Sequence, residues 1–391
     1  MSIKALLKKN KAVFRAAQAA RILPYPLLRG LCGLFRHACG IDRRTVYFSS
    51  FGGMLCNDNP RAVAEALHRL RPDLRLVFCL SGAGKRDRTL PDWIEAVPRR
   101  SLRALKALST ARVLVLNAAM QPWMRRFPGQ RYVQTWHGDR GFKRIRLDVH
   151  PGRASYLREG AWIDLAVSGS AFGSRVFHSA MAVQGEILEE GCPRNDLLVA
   201  RPPEVAARMR AALGIPDGAR VLLYAPTFRN SSSGGAQDAT FRLDAAREAL
   251  ERSTGERWVC LTRSHELARG IRAGGAKDVS GVADVSALLL AVDLLITDYS
   301  SIGGDFMLLD RPVIYFQPDR GSYDTERGLY FDPDESPLRV AHSEEELLAL
   351  LSGPIDAAAN CRACLAYFGA RETGHASEAV ARWIAERIDG D

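Results

Sequence analysis

Two histidines stand where imidazole could handle a proton or meet negative charge. His137 lies in YVQTWHGDRGFKRI (132–145), where a strand-like run stops at Trp136 and Gly138 follows; Arg140, Lys143, Arg144 and Arg146 come close behind. A histidine at the carboxyl end of a parallel strand lies on the edge where open α/β sheets bind ligands, and there it can act as a general base. His265 ends a similar run, LTRSHE, after Arg263 and Ser264, and APTFRN supplies Thr227 and Arg229. The sharpest local feature is DLLITDYSSIGGDF (293–306). A buried strand ending at Thr297 and Asp298 is followed by Ser300 and Ser301, which can cap a helix and offer hydroxyls and N–H groups to an anion. Gly303 and Gly304 would let a ligand approach the backbone, and Asp305 would fall near a ribose. A capped helix start or a lone histidine is ordinary in any α/β protein; the ensemble points to a nucleotide diphosphate facing a base.

Other chemistries find less support. No P-loop is present, and Gly82-Ala83-Gly84 lacks the third glycine of a dinucleotide fingerprint, so it is read as a turn. Eight scattered cysteines include one CxxC, Cys361 to Cys364, without a second pair and on a helical pattern. They are read as reduced thiols, with no metal and no cofactor expected.

The elements that must position these residues follow an α/β rhythm. The runs TVYFSS, LRLVFCL, ARVLVLNA, RYVQTW and IDLAVSG are each separated by enough chain for a crossover, the pattern of a parallel sheet covered on both faces. After the turn at Gly214 to Gly218 the rhythm restarts with ARVLLYAP, RWVCLTR, DLLITD and PVIYF. The expected division is a basic segment at 1–41, a first α/β domain at 42–204, a second α/β domain at 205–342, and helices at 343–391 that could pack back across the hinge. NSSSGGAQ (230–237) reads as a loop.

With 391 residues, 47% of them apolar, the chain can bury two ordinary domains. Its net charge of +10 is uneven: residues 1–200 carry 33 Lys and Arg against 15 Asp and Glu, leaving 21 against 29 for the rest. A basic front half implies a polyanionic partner, which charge alone leaves open among nucleic acid, an anionic membrane and a phosphate-rich substrate. The first 41 residues hold eight basic residues and no acidic one, and Ile3, Leu6, Leu7, Val13, Phe14 and Ala17 recur at helical spacing. That predicts an amphipathic helix lying on a membrane surface. The stretch Leu27 to Phe35 is too short to span a bilayer, and the early lysines break up any signal-peptide core.

In this order, QTWHG, GCPRND (191–196), APTFR, RSHE, LLITDYSS, RPVIYF and RGLYFD resemble the CDP-glycerol glycerophosphotransferase family of teichoic-acid and capsule polymer enzymes, over residues 130 to 335. The resemblance implies a GT-B fold, two Rossmann-like domains facing a cleft with the acceptor bound by the first (42–204) and the CDP-polyol by the second (205–342), and transfer of a polyol phosphate from CDP-glycerol or CDP-ribitol to a lipid-linked saccharide or polyol-phosphate acceptor. It implies His137 as base, His265 as the second active-site histidine, Ser300 and Ser301 on the donor diphosphate, Asp305 near the donor, and Thr227 and Arg229 in the APTxR element. Gly138 and Arg263 join the expected substrate contacts. The expected location is the cytoplasmic face of the membrane, bound peripherally to anionic lipid, with no nucleic acid partner. Two positions depart from the family pattern, Asp139 after WHG and Glu266 after the second histidine, and added carboxylates there would alter histidine basicity or acceptor choice. The rival readings are a GT-B nucleotide-sugar glycosyltransferase or isomerase, and a membrane-bound nucleotide-binding module without turnover.

Overall fold

A computed structural model describes residues 25–81, 90–227, 242–263, 275–354 and 356–390. The first sheet contains β1 (Asp42–Ser49), β2 (Arg75–Leu80), β3 (Ile94–Pro98), β4 (Ala111–Leu116), β5 (Arg131–Gln134), β6 (Leu165–Ser168) and β7 (Glu186–Glu189), in the order β3-β2-β1-β4-β5-β6-β7. The second contains β8 (Arg220–Tyr224), β9 (Trp258–Thr262), β10 (Lys277–Asp278), β11 (Leu294–Thr297), β12 (Val313–Phe316) and β13 (Val340–Ala341), in the order β10-β9-β8-β11-β12-β13. Every pairing is parallel. All six residues of β4 and all four of β11 and β12 are buried, which is why these runs are continuously apolar rather than alternating.

Both sheets reverse their winding at one point, between β1 and β4 in the first and between β8 and β11 in the second. A crevice opens there at the carboxyl ends of the strands. The nine apolar runs read from the sequence contain the central strands, whereas β3, β7, β10 and β13 were not among them. These four sit toward or at the sheet edges and are short or rich in charge: IEAVP, EILE, KD and VA.

The helix Tyr25–Cys39 packs on the helix Leu102–Thr110, burying Leu28 and Cys32 and leaving Leu27 and Leu34 more than 60% exposed. The described part of the N-terminal basic segment is thus a helix of the first domain, while the stripe from Ile3 to Ala17 lies outside the described residues. At the other end, the helix Glu344–Ser352 packs on Leu243–Thr254 of the second domain. The chain then crosses back. Arg371 N–H donates to the Gly169 carbonyl at 2.8 Å, and the helix Ala376–Asp389 packs on Asp58–Leu70, adding Val380, Trp383, Ile384 and Ile388 to the first domain's core. Cys361 and Cys364 are buried on the helix Ala357–Phe368, their thiols directed at the carbonyls of Arg311 and Pro337. No helix among the described residues is long and apolar enough to cross a membrane.

Candidate active site

β5 ends at Gln134, and the chain turns through Trp136, whose φ of 48° is left-handed, to present His137 to the cleft between the sheets. The imidazole Nδ1 lies 2.6 Å from the main-chain oxygen of Asn117, the residue just past β4. A carbonyl can only accept, so Nδ1 carries the proton and Nε2 keeps its lone pair. The rings of Trp136 and Phe51 flank the imidazole at 4.4 and 5.4 Å between centroids. His137 is open to the cleft, but the protein atoms crowded around it push its pKa below the usual value of about 6.5. The Asn117 carbonyl and Asp58 oppose that shift, and Arg194 and Lys143 reinforce it. The result is a neutral imidazole at pH 7 with a free acceptor nitrogen, which is what a general base requires.

The second domain meets this loop directly. A Cβ placed on Gly138 would stand 2.5 Å from the Ser301 Oγ and 3.2 Å from its Cβ, so the WHG loop comes close to the segment after β11, and a larger residue there would have to move Ser301. Ser301 is the N-cap of the helix Ile302–Phe306, yet its side chain accepts no capping bond; the Ser300 Oγ accepts from the Ile302 N–H at 3.3 Å. Asp298, buried at the end of β11, gathers the N–H and hydroxyl of Thr227, each at 2.9 Å, and the N–H of Tyr299. Thr227, Ser300 and Ser301 therefore stand at the second sheet's switch point, opposite Gly138 and His137 on the loop after β5, next to the first sheet's switch point.

Other expected contacts are placed differently. The carboxylate of Asp305 is buried and accepts from Arg194 at 2.7 Å, Asn195 at 2.9 Å and Arg140 at 3.2 Å. Burial alone would raise this carboxyl, but the two guanidiniums outweigh it and hold the group below its ordinary range. Arg263 donates to the carbonyls of Val279 and Val282 at 2.9 and 2.8 Å, so it clamps the loop after β10 rather than reaching into the cleft. Asp139, expected to alter histidine basicity or acceptor choice, turns into the first domain and accepts from the hydroxyls of Ser168 and Ser170. Of the basic cluster behind His137, Arg140 is buried against Glu372 at 2.8 Å and Arg146 against Glu159 at 2.7 Å; Lys143 and Arg144 remain exposed. His265, Arg229, Ser264 and Glu266 lie outside the described residues.

Several residues around the site carried no expectation. Arg194 joins Asp58 at 3.2 Å and Asp305 at 2.7 Å, crossing from one domain to the other, and Asn195 joins Asp305 to Glu372. The signal for Arg194 and Asn195 was present in GCPRND, a motif to which no chemistry had been attached. Asn117 follows an apolar strand directly, the position at which His137 was noticed. Among the described residues, no group of three or more His, Cys, Asp or Glu side chains is arranged to hold a metal ion.

Comparison with known proteins fits this geometry. Residues 33–386 match the family model of CDP-glycerol:poly(glycerophosphate) glycerophosphotransferase. The teichoic acid poly(glycerol phosphate) polymerase of Bacillus subtilis strain 168 is 31% identical over 329 residues, covering 79% of this chain and 43% of that protein. The teichoic acid glycerol-phosphate transferase of Staphylococcus aureus is 30% identical over 337 residues, covering 82% and 86%. This chain thus spans less than half the length of the first of these and most of the second. A solved structure of the wall teichoic acid polymerase TagF superposes with a TM-score of 0.80 at 28% identity, over 99% of each chain. The UDP-GlcNAc 2-epimerase of Neisseria meningitidis, 11% identical with a TM-score of 0.53, shares the fold alone: two facing α/β domains of the GT-B type. The chain belongs to the CDP-glycerol:poly(glycerophosphate) glycerophosphotransferase family.

Proposed function

We propose that this protein transfers a polyol phosphate, glycerol phosphate in the first instance, from a CDP-polyol to a hydroxyl of a membrane-linked acceptor in cell-wall or capsule polymer synthesis. His137 Nε2 takes the proton of the acceptor hydroxyl, whose oxygen attacks the β-phosphorus. The bond between that phosphorus and the bridging oxygen breaks, and CMP leaves with the electron pair. Ser300 and Ser301 donate hydrogen bonds to the diphosphate, and Thr227, with Arg229 beyond it in sequence, borders the donor. His265 meets the charge on departing CMP. Preorganised donors aimed at developing charge commonly supply the largest share of catalysis.

The observation that carries the reading is the contact of Gly138 with Ser301, which sets a tautomer-fixed, neutral imidazole beside the donor-side serines. Support for the donor comes from the family, and from TagF, of which a variant was soaked with CDPG. Teichoic acid ribitol-phosphate polymerases of Staphylococcus aureus also align, at 28% identity over 57% of this chain, which keeps CDP-ribitol in the test. The protein should be given labelled CDP-glycerol, CDP-ribitol and UDP-sugars with lipid-linked acceptors. We expect transfer from a CDP-polyol, and His137→Ala should lower it roughly 10² to 10⁴-fold while CDP-glycerol still binds. Near-normal turnover in a folded His137→Ala protein, or transfer from UDP-sugars alone, overturns the reading.

With a lipid-linked acceptor, the enzyme would work peripherally at the cytoplasmic face of the membrane. Support comes from eight cations and no acidic residue in the first 41 residues, and from Leu27 and Leu34, exposed within the same segment. Each such cation contributes about 1 kcal/mol near an anionic leaflet. Removing residues 2–22 should release the protein from phosphatidylserine vesicles at moderate salt, read by co-sedimentation. Unchanged binding would move the membrane contact elsewhere.

A further inference from the structure

We propose that Asn117 and Asp58 are positioning residues for the base His137, and that Arg194 ties their geometry to the donor-side helix. The proposal rests on the reading of His137 as the base. Asn117 is fully buried and its side chain joins both ends of the loop after β1: Oδ1 accepts from the Phe51 N–H at 2.7 Å, and Nδ2 donates to Asp58 Oδ1 at 3.0 Å. Its main-chain oxygen is the atom that fixes the imidazole. The backbone leading to the histidine is held separately, because Asn59 Nδ2 donates to the carbonyls of Thr135 and Trp136 at 3.1 and 3.0 Å. Asn59 Oδ1 in turn accepts from the Arg194 N–H at 3.0 Å.

The backbone marks the same place. Phe51, Asp58 and Trp136 are left-handed, with φ of 49°, 60° and 48°, and all three surround His137. Left-handed backbone is strained for Phe and Trp and persists only where neighbours over-determine it. Here the neighbours are Asn117, which holds the residues at 51 and 58, and Asn59, which holds the carbonyl at 136. Arg194 then spans the cleft, with Nη1 on both Asp58 oxygens at 3.3 and 3.2 Å, and Nη2 on Asp305 at 2.7 Å. Asp305 lies in the helix that starts directly after Ser301. An unbroken series of bonds, His137 to Asn117 to Asp58 to Arg194 to Asp305, therefore joins the base to the element bearing the donor-side serines. Orientation of the base and approach of the two domains become one geometric event.

A buried network could also serve stability alone, and the two roles separate by charge. The charged groups facing His137 are Asp58 from the helix Asp58–Leu70, Arg194 from the turn Pro193–Asn195, and Lys143 from the loop after the histidine. Asp58 raises the affinity of the imidazole for its proton, and Arg194 lowers it. Full-length Asn117→Ala, Asp58→Asn and Arg194→Gln proteins, with His137→Ala as reference, should be assayed for thermal midpoint, CDP-glycerol affinity by calorimetry, and transfer rate across pH. We expect Asn117→Ala, which keeps the main-chain acceptor, to lose roughly 10 to 100-fold in kcat with donor affinity within about twofold, since small misplacements of a reacting group cost on that order. Asp58→Asn should move the acid limb of the rate profile to lower pH, and Arg194→Gln to higher pH. Should Arg194→Gln fail to fold, the other two variants decide. Unchanged kcat in Asn117→Ala, or an unmoved acid limb in Asp58→Asn, overturns the positioning role while an inactive His137→Ala keeps the base. An active His137→Ala protein overturns both.

Discussion

The two switch points face one another but are built on opposite plans. On the first domain the loops after β1, β4 and β5 carry three left-handed non-glycine residues and a web of side-chain bonds, all converging on one imidazole. On the second domain the described residues from 294 to 309 include no left-handed backbone; Asp298 gathers Thr227 and Tyr299, and Ser301 is left without a capping bond. A base has to hold one lone pair in one direction before its substrate arrives, which demands rigidity supplied by the protein. A diphosphate site can complete its hydrogen bonds with the ligand itself, so relaxed backbone and uncommitted hydroxyls suffice.

The largest expected effect breaks the link between the two plans. Arg140→Leu leaves Asp305 and Glu372 buried without their shared cation, and removing one member of such a group costs about 3–5 kcal/mol. Urea unfolding should show that loss; a change under about 1 kcal/mol would mean the cluster is hydrated in solution. Gly138→Ala tests the contact itself. Its Cβ would stand 2.5 Å from the Ser301 Oγ, so kcat should fall by as much as roughly 10²-fold with stability little changed. The double variant Gly138→Ala, Ser301→Ala should recover part of that rate, because contacting residues are not additive; simple addition of the two losses would refute the close approach. The smallest effect sharpens the donor side. Ser301→Ala should weaken CDP-glycerol binding by about 1.5–3 kcal/mol, whereas Asp305→Asn should lower the thermal midpoint and move donor affinity less. Calorimetry showing the reverse ranking would restore Asp305 as a donor contact.

What was legible in the sequence follows from what patterning encodes. Continuous apolar runs announce strands buried on both faces, so β1, β4, β5, β8, β11 and β12 could be read directly, and with them the strand ends that carry His137, Thr227, Ser300 and Ser301. Edge strands such as β10 and β13 bury little and leave no run to see. Side-chain direction was the other gap. Asp305, Asp139 and Arg140 all sit beside motif residues, yet each turns into the protein because a counter-charge or a pair of hydroxyls from a distant segment waits there: Arg194, Ser168 with Ser170, and Glu372. Proximity in sequence to the chemistry could not reveal those partners, since they come from 29 to 232 positions away.

The return of the C-terminal helix Ala376–Asp389 onto the first domain has a consequence for how the protein is made. The ribosome releases the seven strands of the first sheet early, but Val380, Trp383, Ile384 and Ile388, which close one face of that sheet's core, emerge only after the whole second sheet. The second domain has its own strands and the covering helix Glu344–Ser352 before then. Domains usually fold as units in the order of synthesis. Here the domain begun first is completed after the second, so a nascent chain or a C-terminal truncation would hold a finished second domain beside a first domain with an open apolar face. Such an intermediate would be the species that chaperones and proteases meet.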